Sequence, residues 1–241
     1  MDSSNSNLFK AASTAVAEPQ SPRRRYEKLK ARLEGPIALA LLILTGPIIL
    51  AAMFLVRLTS RGPALFSQTR LGLDGRVFSV YKIRTMHLDC ERDTGPVWSL
   101  PGDSRVIPVG RFLRWSHIDE LPQLFNILKG EMSLIGPRPE RPEIAADLEI
   151  ALPHYRRRLA VRPGLTGLAQ VLQAPDTDVE CVRRKLVYDR CYVEQMGLRL
   201  DACILVATVL LLLGVPSEKL GAISRLSEVD SRLDAQMAFT K

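Results

Sequence analysis

Residues 37–56 read IALALLILTGPIILAAMFLV, twenty residues without a charge, with Gly46-Pro47 near the middle. A helix of that length covers about 30 Å, the hydrocarbon thickness of a bilayer. Proline removes a backbone donor and clashes with the preceding turn, so the pair predicts a break. Both flanks are basic: RRRYEKLKAR (23–32) before, then Arg57, Arg61 and Arg70 after. Positive charge disfavours moving either flank across a membrane. A helix-break-helix that dips in and returns to one face satisfies both flanks. A kinked single span and a buried core helix are the alternatives.

Outward from this segment, the 241 residues leave room for one globular domain. The chain carries a net charge of +7, which admits anionic lipid, a phosphate-bearing substrate or nucleic acid. No aromatic-interleaved basic stretch or zinc-finger spacing supports nucleic acid. Many basic residues instead border the apolar run, where headgroups lie. Cys90, Cys181, Cys191 and Cys203 form no CxxC pair, which points to reduced thiols rather than a disulfide frame or a zinc site. The apolar run starts too late and runs too long for a cleavable signal peptide.

Residues 1–22 are rich in Ser, Ala and Asn and read as a disordered tail. Residues 66–86 place Asp74-Gly75 between two alternating runs, the sign of a β-hairpin. Residues 87–104 read as a loop and 108–114 as a short helix. In SHIDELPQLFNILKG (116–130) the pattern predicts a helix capped by Ser116 and closed by Gly130. Leu121, Leu124, Phe125 and Leu128 would share its buried face. GPRPERPE (136–143) is too rich in proline for helix. Helices are expected over 143–160 and 178–196, with a turn and short strand in VRPGLTGLAQV (161–171) between them. The apolar run 202–215 is fourteen residues long, suited to an interfacial or core helix. Residues 216–241 read as a mobile tail.

Asp119 and Glu120 are the first candidates for chemistry. Acidic residues at a helix start are common for structural reasons alone. Here Arg111 and Arg114 lie just upstream and would lower a carboxylate pKa. An ionised Asp held against phosphate can act as a nucleophile, and its neighbour, facing another way, can hold Mg²⁺. Arg138 and Arg162 each precede a proline that restricts the local backbone, and guanidinium forks match phosphate oxygens. Lys82 and Arg84 form another basic pair, two apart on one strand face. Solvated side chains are the alternative for all four. The three histidines lack metal-ligand spacing.

Three blocks in this order, GPALFSQTRLGLDGRVFSVYKIRTM (62–86), DELPQLFNILKGEMSLIGPRPERP (119–142) and VRPGLTGLAQV (161–171), resemble the bacterial sugar transferase family. These are monotopic polyprenyl-phosphate phosphoglycosyl transferases, and the match is to the small, minimal form. The resemblance covers roughly residues 28–215. It implies an α+β fold: a helix-rich monotopic membrane protein with a re-entrant anchor (23–62) and a small cytoplasmic catalytic domain (63–215) containing a short β-hairpin.

The activity implied is transfer of a sugar-1-phosphate from a nucleotide-sugar, usually a UDP-sugar, to undecaprenyl phosphate. Asp119 would be the nucleophile, UMP would leave, and the product would start exopolysaccharide or related glycan assembly. Glu120 would bind Mg²⁺, while Lys82, Arg84, Arg114, Arg138 and Arg162 would hold phosphates. The implied site of action is the cytoplasmic face of the bacterial inner membrane, among membrane lipid and with no nucleic acid. A homo-oligomer stays open, as do a glycosyltransferase that releases UDP and a non-catalytic membrane scaffold. Relatives often break the anchor at Ser-Pro; Gly46 here lacks that hydroxyl.

Overall fold

The computed structural model describes residues 21–92, 95, 102–173, 178–220 and 226. The expected tail 1–22 therefore lies almost wholly outside the described residues, as does part of the expected loop 87–104. Helix α1 runs Ser21–Thr59 as one helical element. The expected break at Gly46-Pro47 does not end it. Thr45 Oγ1 donates to Leu41 O at 2.7 Å just before the proline. A hydrophobic segment of α1 has mean hydropathy 2.7 with only 17% of its residues buried. Ile43, Leu44, Leu50 and Phe54 are all more than 60% exposed.

Strands β1 (Leu65–Leu71) and β2 (Val77–Ile83) form the expected antiparallel hairpin. Asp74 and Gly75 both take positive φ at its turn, 55° and 76°. Helix α2 (Pro108–Trp115) follows, with proline at its first turn, where a missing N–H costs nothing. A 3-10 segment, Ile118–Gln123, then leads into the short helix α3 (Leu124–Leu128).

The sequence pattern predicts one α-helix here, and the structure corrects it. Ser116 does not cap: its hydroxyl donates back to Phe112 O at 2.9 Å, closing α2. Pro122 inside the 3-10 segment has no N–H for an α-helical bond. A 3-10 turn rotates about 120° per residue instead of 100°, so the buried face slips. Leu124 is buried, but Phe125 and Leu128 are 48% and 38% exposed, and Asn126 takes the inner position. Asn126 is satisfied there, donating to Ser79 O at 2.7 Å and accepting from Tyr81 N at 3.1 Å. Gly130 closes the segment at φ 74°, as expected.

Beyond it lie β3 (Ser133–Ile135), α4 (Pro142–Ala151), a 3-10 segment Tyr155–Ala160, and β4 (Gly164–Thr166). The helix expected over 143–160 is thus interrupted, at Leu152-Pro153. β3 and β4 pair in parallel, Ser133 with Gly164 and Ile135 with Thr166. The chain then forms α5 (Leu168–Leu172), α6 (Val179–Gln195), α7 (Leu198–Leu212) and α8 (Ser217–Leu220). Asp178 caps α6, accepting from Cys181 N at 2.8 Å. α7 buries Leu200, Ile204 and Ala207 and exposes Leu205, Val206, Val209 and Leu212. The start of the expected mobile tail is packed: Leu220 and Leu226 join the main core.

Both ends of α1 are tied to the rest of the chain by polar contacts. Near its start, Lys30 donates to Ile135 O at 2.6 Å and pairs with Asp201 at 2.9 Å. Glu34 accepts from Ser133 Oγ at 2.8 Å and Leu134 N at 3.0 Å. Near its end, Ser60 O accepts from Arg84 Nη2 at 3.0 Å. Apolar contacts follow suit: Ala38 lies in the main core, whereas Ile49, Ala52 and Val56 pack with Ile83, Ile107 and Leu113.

Candidate active site

The 3-10 segment Ile118–Gln123 sets Asp119 and Glu120 beside β2 and beside the extended run after β3. His117, at φ 56°, starts the segment in the left-handed region. Glu120 Oε1 accepts from Lys82 Nζ at 2.8 Å and from Arg138 Nη2 at 2.6 Å. Burial alone would push Glu120 up, but Arg138 and Lys82 overcome it and hold this carboxyl well below the usual range. Lys82, deep in the same cluster, is shifted down by burial, against the pull of Glu120.

Asp119 behaves oppositely. It is 6% exposed, and among the described residues none donates a hydrogen bond to its carboxylate. Burial, then the charge of Glu120, push its pKa up to about 6; Lys82, Arg114 and Arg138 oppose this. The sequence reading expected a lowered pKa from Arg111 and Arg114. Arg111 is exposed on α2, and desolvation outweighs the remaining cations. Arg114 is held by donating from Nε to Thr85 Oγ1 at 2.8 Å.

Arg84, expected beside Lys82 as a phosphate ligand, turns elsewhere. Arg84 follows the last residue of β2, so the alternation that would align it with Lys82 has ended. Its side chain turns to Ser60 O and is 4% exposed. Arg162 is half-buried, and its backbone carbonyl borders Gly136 in the run that leads to Arg138. A Cβ on Gly136 would lie against Arg162 O, and one on Gly164 or Gly167 would overlap the Gly136 backbone. Glycine at these three positions lets the run before Arg138 touch the one after Arg162.

The backbone that carries Arg138 is braced from behind by residues the motifs did not single out. Arg158, 3% exposed, donates from Nη2 to Arg138 O at 2.7 Å. Its Nε bonds Asp189 Oδ2 at 2.8 Å and its Nη1 bonds Tyr155 OH at 2.8 Å. Arg70 adds a bond from Nη1 to Pro139 O at 3.2 Å and an ion pair to Glu140 at 3.0 Å. The only hint in sequence was the RRR run 156–158, which does not say which arginine turns inward.

As a metal site the donor set is sparse. No cluster of three or more His, Cys, Asp or Glu occurs among the described residues. Mg²⁺ is commonly held by one or two carboxylates with substrate phosphates and water completing the shell. Glu120 and Asp119 fit that pattern only together with a diphosphate.

The family model of the bacterial sugar transferases matches residues 25–214. Over 192 residues the chain is 44% identical to a UDP-glucose:undecaprenyl-phosphate glucose-1-phosphate transferase of Caulobacter vibrioides, covering 78% of this chain and 71% of that one. It is 39% identical over 188 residues to a UDP-N-acetylgalactosamine-undecaprenyl-phosphate N-acetylgalactosaminephosphotransferase of Aeromonas hydrophila, covering 78% and 44%. It is 37% identical over 177 residues to the exopolysaccharide production protein PSS of Rhizobium leguminosarum, covering 71% and 88%. Like the Aeromonas protein, several further relatives are matched over less than half their length. With its Asp-Glu pair set against Lys82 and Arg138, the chain belongs to the bacterial sugar transferase family.

Proposed function

We propose that the chain transfers a sugar-1-phosphate from a UDP-sugar to undecaprenyl phosphate, with Asp119 as the nucleophile. The observation that carries this is the unequal state of the two carboxylates. Glu120 is committed to two cations, while Asp119 is buried beside the same cations with no hydrogen bond from the described residues. A carboxylate so placed is free to attack phosphorus.

One Asp119 oxygen attacks the β-phosphorus of the donor. The bond from that phosphorus to the bridging oxygen breaks, and UMP leaves with the oxygen and its electron pair. The sugar phosphate stays on Asp119 as an acyl phosphate. An oxygen of undecaprenyl phosphate then attacks the same phosphorus and frees the carboxylate, giving undecaprenyl-diphospho-sugar. Lys82, Arg114 and Arg138 supply positive charge where the phosphoryl oxygens lie. Glu120 holds Lys82 and Arg138 in place and would be the carboxylate ligand of Mg²⁺, which neutralises diphosphate charge when bound.

An acceptor with a lipid tail requires a membrane-seated site, and α1 offers the means. Its exposed apolar middle favours insertion, and its two ends contact the same domain. That arrangement supports a segment that enters the cytoplasmic leaflet and returns rather than crossing.

The deciding experiment incubates detergent-solubilised protein with Mg²⁺, undecaprenyl phosphate and a panel of UDP-sugars. Release of UMP, lost in Asp119→Asn, is expected and names the sugar. Release of UDP would mean sugar transfer without phosphate, and no product with any donor would favour a scaffold.

A further inference from the structure

Gln123 is the last residue of the 3-10 segment that carries Asp119 and Glu120. It is 2% exposed, and its Nε2 is buried with no hydrogen-bond partner. Buried amide donors in folded proteins are almost always satisfied, and leaving one bare is destabilising. Gln123 faces a gap of about 10 Å³, lined also by Arg70, Val80, Lys82, Arg138 and Pro139. That volume admits about one water-sized group. Three of the lining side chains are cations and none is a carboxylate, so the gap suits an oxyanion oxygen.

Deepening the reading above, we infer that Gln123 is a substrate-contacting residue whose side-chain amide donates to a phosphoryl oxygen of the diphosphate donor. Lys82 and Arg138 are engaged with Glu120, and Arg70 with Glu140. Gln123 alone among these donors is bare before the ligand arrives. Being neutral, it adds a directed hydrogen bond without further like-charge repulsion in a cluster that already holds three cations. Gln123 and Asp119 stand on the same 3-10 segment, so one stretch of backbone sets both the attacking carboxylate and this donor.

The test compares the full chain with Gln123→Met, which keeps the volume but removes the donor, and Gln123→Glu, which presents negative charge. UDP and inorganic pyrophosphate binding are measured with Mg²⁺ by calorimetry, alongside ligand-free thermal unfolding. Gln123→Met is expected to weaken binding of both ligands about 10- to 100-fold, the ratio of one lost hydrogen bond to a charged group. Its ligand-free midpoint is expected to hold or rise by about 2–4 °C, because a bare buried amide has gone. Gln123→Glu is expected to bind pyrophosphate more weakly still.

Wild-type affinity in Gln123→Met would overturn the inference. So would a lowered ligand-free midpoint with unchanged binding, which would mean that the amide serves packing or a resident water. Because these readouts need no turnover, a failure of the proposed reaction, seen as UDP rather than UMP in the wild type, stays separable.

Discussion

Arg138 Nη2 sits 2.6 Å from Glu120 Oε1, and the neighbouring carboxylate of Asp119 receives no hydrogen bond from any described residue. One acidic residue is thus fixed and the next is left available, although the two are adjacent in sequence. Asp119→Asn is expected to reduce UMP release by more than about 10³-fold. UDP binding should stay near wild type, because Lys82, Arg138 and Glu120 remain. Paired turnover and calorimetric assays check this; substantial residual turnover would remove Asp119 from the nucleophile role.

The raised pKa of Asp119 gives a pH signature. Its value of about 6 in the folded chain lies above the ordinary 3.8. Attack needs the ionised form, so kcat/KM for the donor should fall about tenfold per pH unit below pH 6. The stability effect has the opposite sense. The folded state binds this proton more tightly than the unfolded state, so this group favours folding below about pH 4 and loses that contribution as pH rises through 6. At pH 7 the buried charge then costs on the order of 3 kcal/mol, and Asp119→Asn should unfold at higher temperature than wild type. Thermal melts at pH 7 and pH 4.5 test this, since the gap between the two proteins should narrow at the lower pH.

Arg158 acts on the site through Arg138. Its Nη2 bond to Arg138 O and its ion pair with Asp189 are both buried. Arg158→Lys keeps the charge but cannot reach Asp189, Tyr155 and Arg138 O at once. It should lower stability by about 2–4 kcal/mol, since breaking a buried pair leaves groups unsatisfied. At a temperature where the variant is folded, the KM for donor should rise while the pH profile set by Asp119 is retained. A shifted profile would place Arg158 nearer the reacting groups than the geometry does.

The hairpin was legible because Asp74-Gly75 is a local signal: two residues that tolerate positive φ, flanked by alternating runs. Asp119, Glu120, Lys82 and Arg138 could each be picked out as candidates, but Lys82 and Arg138 were expected to hold phosphates, and their pairing with Glu120 is visible only in the structure. What resisted reading depended on distant residues or on a change of helical pitch. Pro122 turned the expected α-helix into a 3-10 segment and moved Asn126 inward in place of Phe125. Arg84 looked equivalent to Lys82, but β2 ends at Ile83. The β3–β4 pairing and the approach of Gly136 to Gly164 join segments far apart in the chain, a relation that no local pattern encodes. Lys30 lies in the basic flank 23–32 that was read as facing headgroups, yet it is buried against Asp201, and Glu34 one turn on is buried against Ser133.

That junction makes its own prediction. Asp201 takes Lys30 at 2.9 Å, Tyr26 OH at 2.6 Å and Tyr192 OH at 2.9 Å. Lys30→Met leaves the Asp201 charge without its cation and should destabilise by about 3–5 kcal/mol. The double variant Lys30→Met, Asp201→Asn should recover much of this, because no buried charge is then left over. Thermal unfolding in detergent reads the cycle. Equal losses in single and double variants would mean that Lys30 contributes packing rather than charge.

The placement of the two ends of α1 bears on topology. Lys28 is exposed near its start, Arg61 is exposed just beyond its end, and the contacts of Lys30 and Ser60 draw both ends to one domain. With the four native cysteines replaced by serine, Lys28→Cys and Arg61→Cys should react with a membrane-impermeant maleimide from the cytoplasmic side only, in inverted vesicles and not in intact spheroplasts. A crossing helix would carry one of these positions to the far side, and opposite labelling would therefore rule out the re-entrant arrangement. It would also require one set of contacts to break, either Lys30 with Ile135 and Asp201 or Ser60 with Arg84, because the domain that makes both cannot lie on two faces at once.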